Sequence, residues 1–244
     1  MATYVLVGGA WLGGWAWQGV ARPLRERGHD VYPATLTGLG DRVHLARPEI
    51  DLETHITDVV NLIGYEDLTD VILVGHSYSS MVVTGVADRV PDRLAHLVYL
   101  DGAPFEDGEA LVDFNSPEGK AEQEQLVHTQ GDGWKLPVPS NLGEGASIKG
   151  LGDAELAFFA RHATAQPFAT FTQPLRLTNA PASGDYGKVI IACDDFRDLK
   201  TFFPDRSAQF VPPTWRMYEL DTGHWPMLSM PHKVTEILHE LAAA

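Results

Sequence analysis

The chain has 244 residues, 44% hydrophobic and 21% charged, which is ordinary for a globular protein with enough length for one core. Its 33 acidic against 18 basic residues leave a net charge of −15, excluding the basic footprint that nucleic acid or an anionic membrane needs in a partner. Its one cysteine, Cys193, excludes an intramolecular disulfide and fits a reducing, cytoplasmic setting, and no run of about 18 apolar residues offers a membrane span.

Short apolar runs alternate with amphipathic stretches, the pattern of a mostly parallel, doubly wound α/β sheet covered on both faces. The apolar opening of the chain lacks a basic leader region and carries Trp11, Trp15 and Trp17, so it reads as part of the fold rather than a signal peptide. Tyr4–Val7 is a strand followed by a glycine-rich loop, Trp17–Glu26 a helix ending near Gly28, and Val31–Leu36 a second strand. Leu52–Ile63 is a helix, Asp70–Gly75 a strand, Ser77–Asp88 a helix, and Ala95–Leu100 a strand. From about 103 to 187 the rhythm breaks into Gly-, Pro- and Glu-rich text with helical patches such as Asp153–His162. A structureless loop of that length is improbable inside a domain, so a helical cap inserted into a single domain over residues 1–244 is expected. The rhythm resumes with the strand Lys188–Cys193, a short helix Phe202–Phe210, the strand Trp215–Leu220 and a terminal helix Pro231–Leu241.

The sharpest signal is Gly75-His76-Ser77-Tyr78-Ser79, at the junction of an apolar strand and a helix. A serine on such a bend projects its hydroxyl at the carboxyl edge of the sheet, and the residues two before and two after must be small because the two backbones nearly touch. Serine is a weak nucleophile until a base takes its proton and an acid orients that base. His224, in a loop after a late strand and before the last helix, stands where the base belongs. Three carboxylates follow strands and are candidates for the acid: Asp195, which position favours, Asp194 and Asp101; a pair with no acid also stays open. The oxyanion formed on attack needs preorganised N–H donors, expected from Tyr78 at the start of its helix and from Ala10 in the first loop. Gly8-Gly9-Ala10-Trp11-Leu12-Gly13-Gly14 does not fit a dinucleotide fingerprint, and no metal-ligand spacing occurs, so no cofactor and no metal is expected.

Leu6-Val7-Gly8-Gly9-Ala10-Trp11, Thr37-Gly38-Leu39-Gly40, Asp51-Leu52-Glu53-Thr54-His55, Gly75-His76-Ser77-Tyr78 and Gly223-His224 resemble the α/β hydrolases that include plant methylesterases and hydroxynitrile lyases. The resemblance implies an α/β-hydrolase fold, the Ser77–His224 pair, Asp195 at the family's acid position, and oxyanion donors at Ala10 and Tyr78. Gly8 stands where the family usually has histidine, and Ser79 and Ser80 where it usually has glycine. The lyases place a threonine at the position of Gly9 and a lysine at that of Trp225, so the resemblance favours hydrolysis over cyanohydrin cleavage. The Ser79-Ser80 variant resembles bacterial esterases acting on benzimidazole carbamates, which implies a methyl carbamate substrate. The expected activity is therefore that of a serine esterase on a small apolar or aromatic ester or carbamate. A carbon–carbon lyase or a non-catalytic small-molecule-binding protein on the same fold are the alternatives. Trp134, Phe158, Phe159, Phe168 and Phe171 are candidates to line its pocket, although such aromatics are more often core.

Overall fold

The structure is a computed structural model and describes residues 1–202, 205, 208, 210 and 213–243. Six parallel strands form the main sheet: β1 (Thr3–Val7), β2 (Asp30–Ala34), β3 (Val71–His76), β4 (Leu94–Leu100), β7 (Gly187–Ala192) and β8 (Arg216–Glu219), in the order β2-β1-β3-β4-β7-β8. The inner strands read as continuous apolar runs because both faces are covered, and every residue of β3 is buried.

Alternate side chains along each strand feed two cores. Val5, Val7 and Leu73 pack with Ile56 of α2 (Leu52–Tyr65) and Val83 of α3 (Ser79–Arg89). Tyr4, Leu6, Ile72 and Val74 pack on the other face with Leu24 of α1 (Gln18–Glu26) and with Val234 and Leu238 of the terminal helix, Pro231–Leu241. The chain steps outward from β1 to β2, then returns past β1 to β3 and continues to the other edge. That reversal leaves a crevice beyond the carboxyl ends of β1 and β3, the usual ligand site of such sheets.

Between Leu100 and Gly187 the chain leaves the main sheet. It forms α4 (Pro117–Gln130), α5 (Asp153–His162), α6 (Ala169–Thr172) and a short antiparallel pair, β5 (Lys135–Leu136) with β6 (Gln166–Pro167). Helix α4 has no counterpart in the sequence reading. It is polar nearly all round and buries only Val127, so it carries no apolar period to detect. Ser116 caps it by accepting the Gly119 N–H at 3.1 Å, and Pro117 opens its first turn. A second unforeseen helix, α7 (Asp194–Phe202), begins directly after β7, so Asp194 and Asp195 sit in a helical first turn rather than a loop. The helix expected over Phe202–Phe210 lies mostly outside the described residues.

Candidate active site

Ser77 follows β3 on a bend sharp enough to force its φ to +52°, the left-handed region that side chains rarely adopt. Gly75 makes the bend possible: a Cβ there would lie 2.7 Å from the Ser79 carbonyl oxygen and 2.6 Å from Val83. Ser79, where small size is also demanded, fits by turning its hydroxyl outward to donate to the Gly8 carbonyl. The hydroxyl is completely buried and satisfied, and it ties the start of α3 to the loop after β1.

The Ser77 hydroxyl donates to His224 Nε2 at 2.7 Å. At the other ring nitrogen, two carboxylates meet the imidazole: Asp101 Oδ2 at 2.8 Å and Asp195 Oδ2 at 3.2 Å from Nδ1. Asp101 follows β4 with φ +47°, is wholly buried, and accepts the Cys193 and Phe196 N–H groups through Oδ1, each at 2.9 Å. Asp195 is partly exposed, and its Oδ1 accepts the Ser147 N–H at 2.9 Å. Asp194 turns away, taking the Ser147 hydroxyl at 2.9 Å and pairing with Arg197. Burial presses the His224 pKa down, but the hydrogen bond and charge of Asp101, with the charge of Asp195, overcome it, so the net shift is upward. Burial pushes the Asp195 carboxyl upward.

Asp101, Asp195 and His224 are, among the described residues, the one group of acids and histidine close enough to share a cation, with ligand atoms within 4.8 Å. Both His224 nitrogens are already engaged, one by carboxylates and one by Ser77. That donor set suits proton transfer between a hydroxyl and an imidazole.

His76 lies against His224. Its Nε2–H donates to the His224 carbonyl at 2.6 Å, and the two rings stand 4.8 Å apart. Burial and the neighbouring His224 hold its pKa well below the usual histidine range. The opposite side of the His224 loop is held by residues 147–149: His224 N–H donates to the Ser147 carbonyl at 2.7 Å and Gly223 N–H to the Lys149 carbonyl at 2.9 Å. No sequence signal marks Ser147, because its role depends on a tertiary contact between the inserted segment and a distant loop.

Gly9 brings the first loop against the serine; a Cβ on it would lie 3.1 Å from Ser77 Cβ and 2.6 Å from His76 Nδ1. A threonine here, as in the lyases, would collide with His76. Trp11, at φ +63°, donates its N–H to the buried Gln166 side chain at 3.1 Å, which anchors the loop from β6. The Ala10 and Tyr78 N–H groups have no acceptor among the described residues.

Beside Ser77 opens a cavity of about 190 Å³, walled mainly by Ala103, Phe105, Leu111, Phe114 and Phe196. The aromatics singled out from the sequence sit elsewhere: Phe158 and Phe159 pack on Trp15, and Phe171 on Trp11 and Tyr78. Cys193 is buried at the end of β7, and burial pushes its thiol upward, away from reactivity.

A model of the alpha/beta hydrolase family matches residues 4–237. The chain is 36% identical over 249 residues to a carbendazim hydrolyzing esterase of Nocardioides sp., covering 99% of this chain and 100% of that one. It is 27% identical to Methylesterase 9 of Arabidopsis thaliana, covering 99% and 98% of the two chains. Among solved structures, an extracellular alpha/beta-hydrolase from a Paenibacillus species superposes with a TM-score of 0.84 at 26% identity over 99% of both chains. That protein is described as sharing structural and functional homology with tobacco Salicylic Acid Binding Protein 2.

Proposed function

Because the chain belongs to the alpha/beta hydrolase family, we propose that it is a serine esterase cleaving small esters or methyl carbamates through a covalent Ser77 intermediate. The observation that carries this reading is the 2.7 Å contact between the Ser77 hydroxyl and His224 Nε2, on a bend that aims the hydroxyl at a cavity. Ser77 Oγ attacks the carbonyl carbon while its proton passes to His224 Nε2, and the carboxylates at Nδ1 offset the imidazolium charge. The carbonyl oxygen, now negative, is held by the N–H groups of Ala10 and Tyr78, each such donor contributing about 3–4 kcal/mol at the barrier. His224 then protonates the leaving alkoxide, and a water activated the same way releases the acyl or carbamoyl group. From a methyl carbamate the products are methanol and a carbamic acid, which breaks down to an amine and carbon dioxide.

The carbamate reading is supported by the 36% identity to the carbendazim hydrolyzing esterase. An apolar cavity below the volume typical of drug-sized ligands favours a small or flat substrate. The lyase reading is disfavoured by Gly9 and Trp225, where the lyases carry threonine and lysine. A panel of p-nitrophenyl acetate, a methyl arylacetate and a methyl benzimidazolyl carbamate tests the proposal. We expect turnover of at least one, with methanol released from the methyl substrates. A folded protein inert on all three would overturn it.

A further inference from the structure

We infer that Asp101 is the carboxylate that orients the His224 imidazole, with Asp195 a second, electrostatic partner; this deepens the serine-hydrolase reading and rests on it. The family resemblance alone would assign the orienting role to Asp195. The geometry of the two carboxylates points the other way.

One Nδ1–H can align well with only one acceptor, and Asp101 is nearer, at 2.8 Å against 3.2 Å for Asp195. Asp101 is also the better-held group. Its second oxygen is locked by two backbone N–H groups, Cys193 at the end of β7 and Phe196 in α7, so its carboxylate plane cannot turn. Its side chain is 0% exposed against 26% for Asp195, so its attraction for an imidazolium is less screened by water. Its position is coupled to the nucleophile, because the Ser77 N–H donates to the carbonyl of Leu100, the residue before it. Asp195 hangs from a helical first turn and from one N–H of the inserted segment, Ser147. Asp101 is thus a positioning residue acting through His224.

The other titratable groups facing His224 are few. His76 lies against its ring and carbonyl from the end of β3. Near Asp195, Asp194, Arg197, Lys149 and Asp221 form one network of ion pairs, and Asp198 of α7 adds a like charge. Removing one of the two carboxylates therefore leaves the other as the remaining acid at Nδ1.

The chemistry of an amide at each position separates the two roles. In Asp101→Asn the side-chain oxygen stays with the two backbone donors, which turns the NH2 toward Nδ1. His224 is then held with its proton on Nε2, the tautomer that cannot accept from Ser77. Asp195→Asn leaves the Asp101 contact in place and removes only a charge. The test compares wild type, Asp101→Asn and Asp195→Asn in turnover of p-nitrophenyl acetate across pH, and in the low-field proton resonance of the Nδ1–H. We expect kcat to fall about 1,000- to 10,000-fold in Asp101→Asn with loss of that resonance. We expect Asp195→Asn, which loses one of the two charges at Nδ1, to lower kcat by about tenfold while keeping the resonance. Its kcat/KM profile should shift its acid limb to lower pH, because one fewer negative charge favours the imidazolium less. A folded Asp195→Asn that loses activity as far as Asp101→Asn, or loses the resonance, overturns the inference. Should Asp101→Asn not fold, Asp195→Asn alone decides by the same two readouts. Undiminished turnover in Ser77→Ala would instead overturn the hydrolase reading beneath it.

Discussion

His55 shows how much of the site is held by residues that do no chemistry. Its Nε2–H donates to the Thr37 carbonyl at 2.9 Å, and its Nδ1 accepts the Tyr78 hydroxyl at 2.8 Å, which holds the residue following Ser77. Complete burial lowers its pKa from 6.5 to about 4. In the unfolded chain it takes up a proton near pH 6.5, so folding opposes that uptake. Its neutral form therefore contributes fully above pH 6.5, and the contribution is lost as pH falls to about 4, some 3 kcal/mol in all. His76, also pushed down, adds to that slope, and His224, pushed up, opposes it. The test is therefore a comparison. Urea unfolding of His55→Gln should show a shallower decline between pH 6.5 and 4 than wild type, though it starts from lower stability at pH 7.5. Parallel declines would contradict this account. At this scale Ser77 and His224 were legible from sequence because each is flagged by its own neighbours, a strand-to-helix bend and a late-strand loop. The balance between Asp101 and Asp195 was not, because both follow strands and only the sheet order brings them to one nitrogen.

The elements that matter most are α3 and the loop after β1, and Ser79 joins them. A glycine at that position would fit the bend without any tie; the serine adds a hydrogen bond to the Gly8 carbonyl, two residues before the candidate oxyanion donor Ala10. In Ser79→Ala that buried carbonyl loses its partner, at a cost of about 1–3 kcal/mol. The loop carrying Ala10 is then less well held, so kcat for an aryl ester should fall while KM changes little. Urea unfolding and steady-state kinetics check both effects. Unchanged stability and unchanged kcat would show that the tie carries no weight. The departure from glycine was visible in the sequence, but its consequence was not, since the accepting carbonyl lies 71 residues away. The same limit hid α4, whose sequence has no apolar face, and α7, whose acidic opening reads as a loop. The strands of the main sheet were legible because each is a short apolar run between turns; only their ends differ, by a few residues. The Val31–Leu36 reading, for instance, corresponds to Asp30–Ala34.

Across the whole molecule, a sheet with two cores presents five loops at one edge, and the candidate site groups come from all five. Ala10 follows β1, Ser77 follows β3, Asp101 follows β4, and Asp195 follows β7, while His224 arrives after β8. The segment between β4 and β7 then closes on this edge through Gln166 at the first loop and Ser147 at His224 and Asp195. Its contents were the least readable part of the chain, because its residues answer to that docking rather than to a periodic pattern of their own. No helix among the described residues is long and apolar enough to cross a membrane. The account as a whole requires that an electrophile entering the cavity be captured by one hydroxyl. Intact-protein and peptide mass spectrometry after treatment with a fluorophosphonate measures this directly. A single adduct on Ser77, absent in Ser77→Ala and strongly slowed in His224→Ala, is the predicted result. A folded wild-type protein that stays unmodified, or an adduct that survives in Ser77→Ala, would contradict it.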